Sequence, residues 1–302
     1  MNEEAHKFIL EHFCEQRSLS PKAIPAGLTD MICAVTAPYF LMIECLDELD
    51  SDPTQGLLIK LVSRSYEAAA GSLALAAIGH LREAETLSRS VYESSVTTTY
   101  IVQENPAKRF AQFFQYYVRQ EREQNRKWSN DVEAEPPTVR KDHEKRISQK
   151  NEAMDAYEKF IDLFVEHCGI DLETAKNWPG LIDRLTALGR RIDYRTVYAA
   201  MCSQSHHDAE DVLNHFFANS VVGADDIAER MEREANIFSI FMVLFGLQSF
   251  VEAMLAVCRH LKFPTVVAEG TNSLKRITDE LHVIAPHLDT GEFPENWVKK
   301  GT

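Results

Sequence analysis

Apolar residues recur with a helical period, not an alternating one, through most of this chain. The stretches 57–79 and 80–104 read as two helices that meet near Gly79, and the second must end before Pro106, whose ring cannot continue a helix. Helices joined by so short a connection lie side by side and antiparallel. Because no sustained strand-like alternation appears, the pattern predicts an all-α multi-helix bundle built on long antiparallel hairpins.

A second pair of helices is predicted over 107–130 and from about Val139 onward, with the EAEPP run at 133–137 as the exposed loop between them. The later helix carries one narrow apolar seam. Its members recur at spacings of seven, three, four and three residues: Ile147, Met154, Tyr157, Ile161 and Phe164. Such a seam predicts lengthwise packing on a partner helix.

Shorter elements are expected after Cys168. The predicted helices are 172–189, 193–204 and 206–219, then a long helix over 225–262 and a short one over 272–284. Residues 1–55 are mainly helical by pattern, with a break at Ser51, Asp52 and Pro53. The sequence therefore predicts three segments: an N-terminal helical segment (1–55), a main helical bundle (56–262) and a C-terminal short helix and tail (263–302).

Composition narrows the class of protein. Hydrophobic residues make up 45% and charged residues 26% of the chain, as in ordinary globular proteins, and a formal net charge of −14 argues against nucleic-acid binding across the whole surface. The six cysteines form no C-x-x-C pair, which favours reduced thiols, a cytoplasmic location and no structural zinc. We also expect no cofactor. The apolar run from Ile237 to Val257 contains Gln248 and Glu252, so we expect a buried central helix and no membrane partner.

The densest group of reactive side chains lies between Trp178 and His207. Tyr194 and Tyr198 are four residues apart and share a helical face, and His206 follows eight residues later. A site at this stretch is therefore a reasonable hypothesis, although the residue types alone do not name a reaction.

A second candidate is the helix from His80, where Glu85, Arg89 and Glu93 repeat every four residues. Such a ladder usually forms intrahelical ion pairs in water. Serine, threonine and tyrosine make this helix polar over much of its girth, however, and a buried Arg89 would need a fixed acidic partner or an anionic ligand.

Four arginines, at positions 184, 190, 191 and 195, fall within twelve residues. Their guanidinium groups match the geometry of phosphate oxygens, as in RNA. Charges around Gly189 are equally typical of a helix C-terminus, so Arg191 and Arg195 are candidate binding residues with two explanations open.

A metal half-site is suggested by His207, Asp211 and His215, which share a helical face. Ser205 and Asp208 also have the form of a capping box, which predicts a solvated helix start at the same place. We expect no metal there, because diiron bundles need a Glu-x-x-His order and this chain has the reverse, at His80 to Glu83 and at His207 to Glu210.

Part of this pattern resembles a widespread bacterial helical family that is labelled a domain of unknown function. Members show an R-x-x-x-E helix followed by a W…Y-x-x-x-Y-x-x-x-S-x-x-x-H segment, and the resemblance covers roughly residues 57–260. Cys202 stands where the family has a serine. The matching positions are Arg89, Glu93, Tyr100, Trp178, Tyr194, Tyr198 and His206.

The function we favour from the sequence is a helical binding or interaction module. In it, a polar network between helices would be formed by Arg89, Glu93, Tyr194, Tyr198 and His206. An RNA or another phosphate-bearing molecule is the expected ligand, and Arg195, Tyr194, Trp178 and Arg191 are its candidate binding residues.

Two enzymatic alternatives stay open. The chain is similar to the HEPN-type ribonucleases, metal-independent effectors of defence or toxin systems that usually act as homodimers. That resemblance implies that His206 acts as general acid or base and that Arg89 or Arg195 stabilises the phosphorane charge. The candidate catalytic residues are therefore His206 and Arg89, together with Glu93 and Tyr198 beside them in the predicted network. Those nucleases separate arginine and histidine by four to six residues, whereas ten separate Arg195 from His206. The other alternative is a metal-dependent hydrolase at His207.

Overall fold

The computed structural model describes residues 24–49, 52–171, 177–205, 216 and 225–298. Across these residues the protein is all-α, as the sequence predicts, and it contains no strand. The main helices are α1 (Ala26–Glu44), α2 (Pro53–Ala77), α3 (Leu81–Val102), α4 (Pro106–Val132), α5 (Pro137–His167), α6 (Leu181–Ala187), α9 (Asp225–His260) and α10 (Pro264–Ile284). Between α6 and α9 lie α7 (Arg191–Asp193), a π-helical turn (Tyr194–Tyr198) and α8 (Ala199–Ser205), which follow one another without a break.

The predicted hairpin of α2 and α3 is confirmed. Pro53 occupies the first turn of α2, and the side chain of Asp52 caps that helix by accepting a hydrogen bond from the backbone N–H of Thr54 at 2.8 Å. Small hydroxyl residues line the antiparallel contact. Ser72 bonds to Ser88 at 2.9 Å, and Ser65 donates to Ser94, also at 2.9 Å. These bonds satisfy buried polar groups while the two backbones approach closely.

The second hairpin consists of α4 and α5 and forms a compact unit over residues 101–180. Asn125 of α4 donates to Asn151 of α5 at 3.0 Å. Four members of the predicted seam are buried, but Tyr157 is 47% exposed and lies beside Tyr117 with ring centroids 6.2 Å apart. The prediction that Tyr157 belongs to the buried seam was wrong. This residue lies beside the packed face of α5, and a phenol ring is stable in such a partly exposed position.

The other compact unit combines residues 1–100 with 181–302, and α9 forms much of its core. By length and composition, two helices could cross a membrane, over Ala26–Asp47 and Glu229–His260. In the second, 72% of the apolar window is buried within the protein. The buried core helix of a soluble protein can be as long and as apolar as a membrane span, so the cytoplasmic location stays a prediction. The segment boundaries at residues 55 and 262 also stay predictions.

Two predicted helix boundaries were wrong. The last helix begins at Pro264, well before residue 272, because proline is well suited to the first turn, where its missing N–H costs nothing. The helix expected over 172–189 spans only Leu181–Ala187 in the described residues, and the stretch 177–180 is not helical. The expected helix over 206–219 lies outside the described residues, apart from Phe216.

Candidate functional site

The π-helical turn Tyr194–Tyr198 is the local feature around which the candidate residues gather. Gly189, with a φ of 72°, ends α6, and the chain then re-enters helix at Arg191. Within the turn, the rings of Tyr194 and Tyr198 stack with centroids 5.3 Å apart and an interplanar angle of 27°. A π-turn is rare in proteins and is found frequently at functional sites.

Tyr198 joins the π-turn to α3 through the Arg89 network, which consists of Arg89, Glu93 and Tyr198. Arg89 Nε donates to Glu93 Oε1 at 3.0 Å, and Arg89 Nη2 donates to the Tyr198 hydroxyl at 3.3 Å. The hydroxyl in turn donates to Glu93 Oε1 at 2.9 Å, and the guanidinium lies 5.4 Å from the centre of the tyrosine ring. Each member of the network therefore contacts the other two.

Burial and hydrogen bonding fix the protonation states in this network. Burial, with the hydrogen bond to Glu93, raises the pKa of Tyr198 to about 12, so its hydroxyl remains a donor at neutral pH. Burial alone would lower the pKa of Arg89, but the hydrogen bonds to Glu93 and Tyr198 outweigh it and the net direction is upward. Cys202, one turn after Tyr198, also hydrogen-bonds to that tyrosine.

A second cluster, the Arg190 network, holds the start of the turn: Arg190, Asp193, Glu252 and Tyr92. Arg190 donates from Nε to Asp193 Oδ2 at 2.7 Å and from Nη1 to Glu252 Oε2 at 3.0 Å. The Tyr92 hydroxyl donates to Asp193 Oδ2 at 3.3 Å, and the Arg190 guanidinium lies 5.6 Å from the centre of the Tyr92 ring. This network ties the π-turn to both α3 and α9.

The burial of the Arg190 network perturbs its acids. Burial raises the pKa of Glu252, and the nearby positive charge of Arg190 offsets only part of that effect. Burial also raises the pKa of Tyr92, whose side chain is fully buried. The rings of Tyr92 and Tyr198 lie 6.4 Å apart, so the two networks meet at a pair of tyrosines.

A family model described as a family of unknown function, DUF5677, matches residues 55–223, more than half of the 302-residue chain. This chain belongs to the DUF5677 family. No curated protein and no solved structure matches it. The predicted membership of a family of unknown function is thus confirmed over a shorter stretch than 57–260. In this DUF5677 protein the matched range holds the whole Arg89 network, whereas Glu252 lies beyond it.

Sequence reasoning named the Arg89 network but missed most of the Arg190 network. The intrahelical pair of Arg89 and Glu93 exists as expected, but Glu85 of the same ladder is fully buried and accepts a hydrogen bond from Ser239 Oγ at 2.7 Å. The position of Glu252, within an apolar stretch of the sequence, could have indicated that it has a partner. A carboxylate inside an apolar core helix needs a cationic partner, and Arg190 supplies it.

The other candidate residues are distributed more widely. Arg184 donates to Thr97 Oγ1 at 2.6 Å, whereas Arg191 and Arg195 are exposed, with the Arg195 guanidinium 5.7 Å from the Tyr194 ring centre. Trp178 belongs to the hairpin unit, where it packs on Phe113.

The histidine candidates of the DUF5677 chain lie outside the described residues. This holds for His206, on which the enzymatic hypothesis depends, and for His207, Asp211 and His215 of the suggested metal site. Within the described part of the chain, no cluster of histidine, cysteine, aspartate and glutamate could hold a metal ion.

Proposed function

We propose that this DUF5677 protein is a helical binding module whose π-turn presents an arginine–tyrosine face to a phosphate-bearing ligand, for which single-stranded RNA is the test case. One observation carries the proposal. Two hydrogen-bonded networks hold the turn in place, while Arg195 within it and Arg191 just before it are exposed.

The two exposed arginines differ from the arginines of this protein that form ion pairs with carboxylates. In the part of the chain that the structure describes, neither guanidinium forms an ion pair with a carboxylate, although the protein carries a net charge of −14. They are four residues apart, so they project from neighbouring turns of the helix. Guanidinium groups at this spacing can each contact one phosphate of a strand, and the exposed part of Tyr194 offers a ring for base stacking.

Binding of a labelled single-stranded RNA, followed by fluorescence anisotropy, tests the proposal. The double variant Arg191→Ala/Arg195→Ala is expected to bind about tenfold more weakly or worse, since each lost phosphate contact removes about 1 kcal/mol or more. It should also lower the slope of log K against log salt by about 0.7 per contact.

The matched control is Arg64→Ala/Arg146→Ala, which removes the same charge at side chains that are 68% and 64% exposed. This control should keep nearly all of the affinity. Equal losses in both double variants would mean that only net charge matters, and the π-turn would then not be the binding face.

A metal-independent ribonuclease of the HEPN type is the second candidate. The observation in its favour is that Arg195, exposed and unpaired with any described carboxylate, could stabilise the charge of a phosphorane. His206 would move the proton between the ribose hydroxyl and the leaving oxygen. In vitro cleavage of RNA without added metal, lost in His206→Ala, would support it; intact RNA with wild-type protein would leave only the binding module.

A further inference from the structure

The hairpin of α4 and α5 carries a surface cleft that is distinct from the π-turn. Its wall on α4 includes four residues that recur at spacings of three and four and therefore share one helical face: Tyr116, Arg119, Glu123 and Arg126. Asn177 and Trp178, which precede α6, form the opposite side. The cleft has a volume of about 600 Å³, within the range of small-molecule sites.

Two aromatic side chains give this cleft a surface for stacking. Trp178 packs against Phe113 with ring centroids 4.9 Å apart and the planes at 45°, which fixes the position of the indole. Tyr116 is 37% exposed. An anchored indole loses little conformational entropy when a planar ligand stacks on it.

The polar lining of the cleft is rich in arginine, in a chain that is acidic as a whole. Arginines outnumber acids among its residues, with Arg119, Arg122 and Arg126 facing a single carboxylate, Glu123. Arg126 pairs with Glu123 at 2.8 Å, and Arg122 is held by Asp155 and Glu158 of α5. Arg119 also lines the cleft, one helical turn from Tyr116 and from Glu123 on the same face of α4.

We propose that this cleft binds a nucleotide, with the base against Trp178 and Tyr116 and the phosphate at Arg119. Both parts of the ligand are needed, because an aromatic wall selects a planar ring and a guanidinium selects a phosphate. The amides of Gln120 and Asn177, which also line the cleft, can hydrogen-bond to the edge of a base. The nucleotide is either a free mononucleotide or one residue of an RNA strand.

Calorimetric titration of the full-length protein tests this site with three probes: AMP, adenosine and inorganic phosphate. AMP should bind, and adenosine and phosphate should each bind at least about tenfold more weakly, because each lacks one half of the recognised group. A short oligoadenylate separates the two sources. Tighter binding of the oligomer than of AMP assigns the cleft to RNA, and equal or weaker binding assigns it to the free nucleotide.

Variants locate the binding. Arg119→Ala should weaken AMP binding about tenfold and leave the weak adenosine binding unchanged, whereas the matched control Arg146→Ala, at an exposed arginine outside the cleft, should bind as wild type does. Trp178→Ala should abolish binding. Trp178→Phe keeps an aromatic ring on Phe113 and should retain part of the affinity, which guards against a loss caused by misfolding.

Three results would overturn the proposal: no heat with AMP at millimolar concentration, AMP binding that survives both Arg119→Ala and Trp178→Ala, or adenosine binding as tightly as AMP. The Arg191→Ala/Arg195→Ala variant is expected to bind AMP normally. The nucleotide site and the π-turn face can therefore fail independently.

Discussion

Replacing Tyr198 with phenylalanine removes one hydroxyl from the Arg89 network and leaves the ring in place. The lost contacts are the bond donated to Glu93 Oε1 at 2.9 Å, the bond accepted from Arg89 at 3.3 Å and the hydrogen bond with Cys202. Stacking on Tyr194 and the contact of the guanidinium with the ring should persist, because neither depends on the hydroxyl. The variant thus isolates the hydrogen bonds that join the π-turn to α3.

The expected loss follows from burial. A hydrogen bond to a charged group stabilises a protein by about 1.5–3 kcal/mol, and a neutral one by about 0.5–1.5 kcal/mol. The side chains of Arg89 and Glu93 are 24% and 40% exposed, so water replaces part of what the phenol supplies. We therefore expect Tyr198→Phe to lower the free energy of unfolding by about 1 kcal/mol, equivalent to a fall of about 2–4 °C in Tm.

Urea denaturation and thermal melts measure this loss, with Tyr157→Phe as the control. Tyr157 is 47% exposed and its hydroxyl has no hydrogen-bond partner among the described residues, so its removal should change stability by less than about 0.5 kcal/mol. A double-mutant cycle with Glu93→Gln should give a coupling of at least about 0.5 kcal/mol. Strict additivity, or equal losses at both tyrosines, would refute the idea that Tyr198 and Glu93 act as one network.

Three further outcomes are expected. Arg190→Ala should lower the free energy of unfolding, measured by urea denaturation, by about 2 kcal/mol. This is less than the roughly 3–5 kcal/mol lost when a fully buried ion pair is broken, because the side chains of Arg190 and Glu252 are 28% and 37% exposed. A loss under about 0.5 kcal/mol would show that the Arg190 network does not stabilise the fold. Because the pKa of Glu252 is raised, the folded state binds the proton of this carboxyl more tightly than the unfolded state does. The wild type should therefore lose stability relative to Glu252→Gln as the pH rises from the ordinary glutamate pKa through the raised one. The opposite trend in thermal melts between about pH 4 and 7 would contradict the direction of the shift. Gly246→Ala should lower the free energy of unfolding by about 1–3 kcal/mol, because a Cβ at this position would lie 3.1 Å from Ser88 Cβ and 3.2 Å from the Ser88 carbonyl oxygen. The control Gly56→Ala, which has open space around it, should raise the free energy of unfolding by about 0.5–1 kcal/mol. Thermal melts that rank the two variants the other way would contradict the close approach of α9 to α3.

The helical hairpins could be predicted because their boundaries have local chemical signals. Gly79 and Pro106 end or begin helices by backbone geometry alone, and the structure places breaks at both. The Arg89–Glu93 pair was equally local. The π-turn could not be predicted in this way, since Tyr194 and Tyr198 have the same spacing as two residues on one face of an α-helix. No local sequence signal indicates that a helical turn will contain the additional residue of a π-helix.

The long-range partners were hidden for a related reason. Arg190 and Glu252 are sixty-two positions apart along the chain, so only the packing of α9 could show that they meet. Arg190 was grouped with the phosphate-binding candidates on composition alone. Its guanidinium is instead committed to Asp193 and Glu252, which leaves Arg191 and Arg195 as the exposed members of that group.

The two networks together explain why a π-turn persists at this place. An isolated π-turn is less stable than an α-helix, so it survives where the surrounding structure holds both of its ends. Asp193, just before the turn, is fixed by Arg190 and Tyr92, and Tyr198, at its end, is fixed by Arg89 and Glu93. Returning the turn to α-helical spacing would rotate one end relative to the other and break one of the two networks. If the proposed binding function is correct, the same constraint would hold Arg195, which lies between those ends, in a fixed register and would lower the entropic cost of ligand binding.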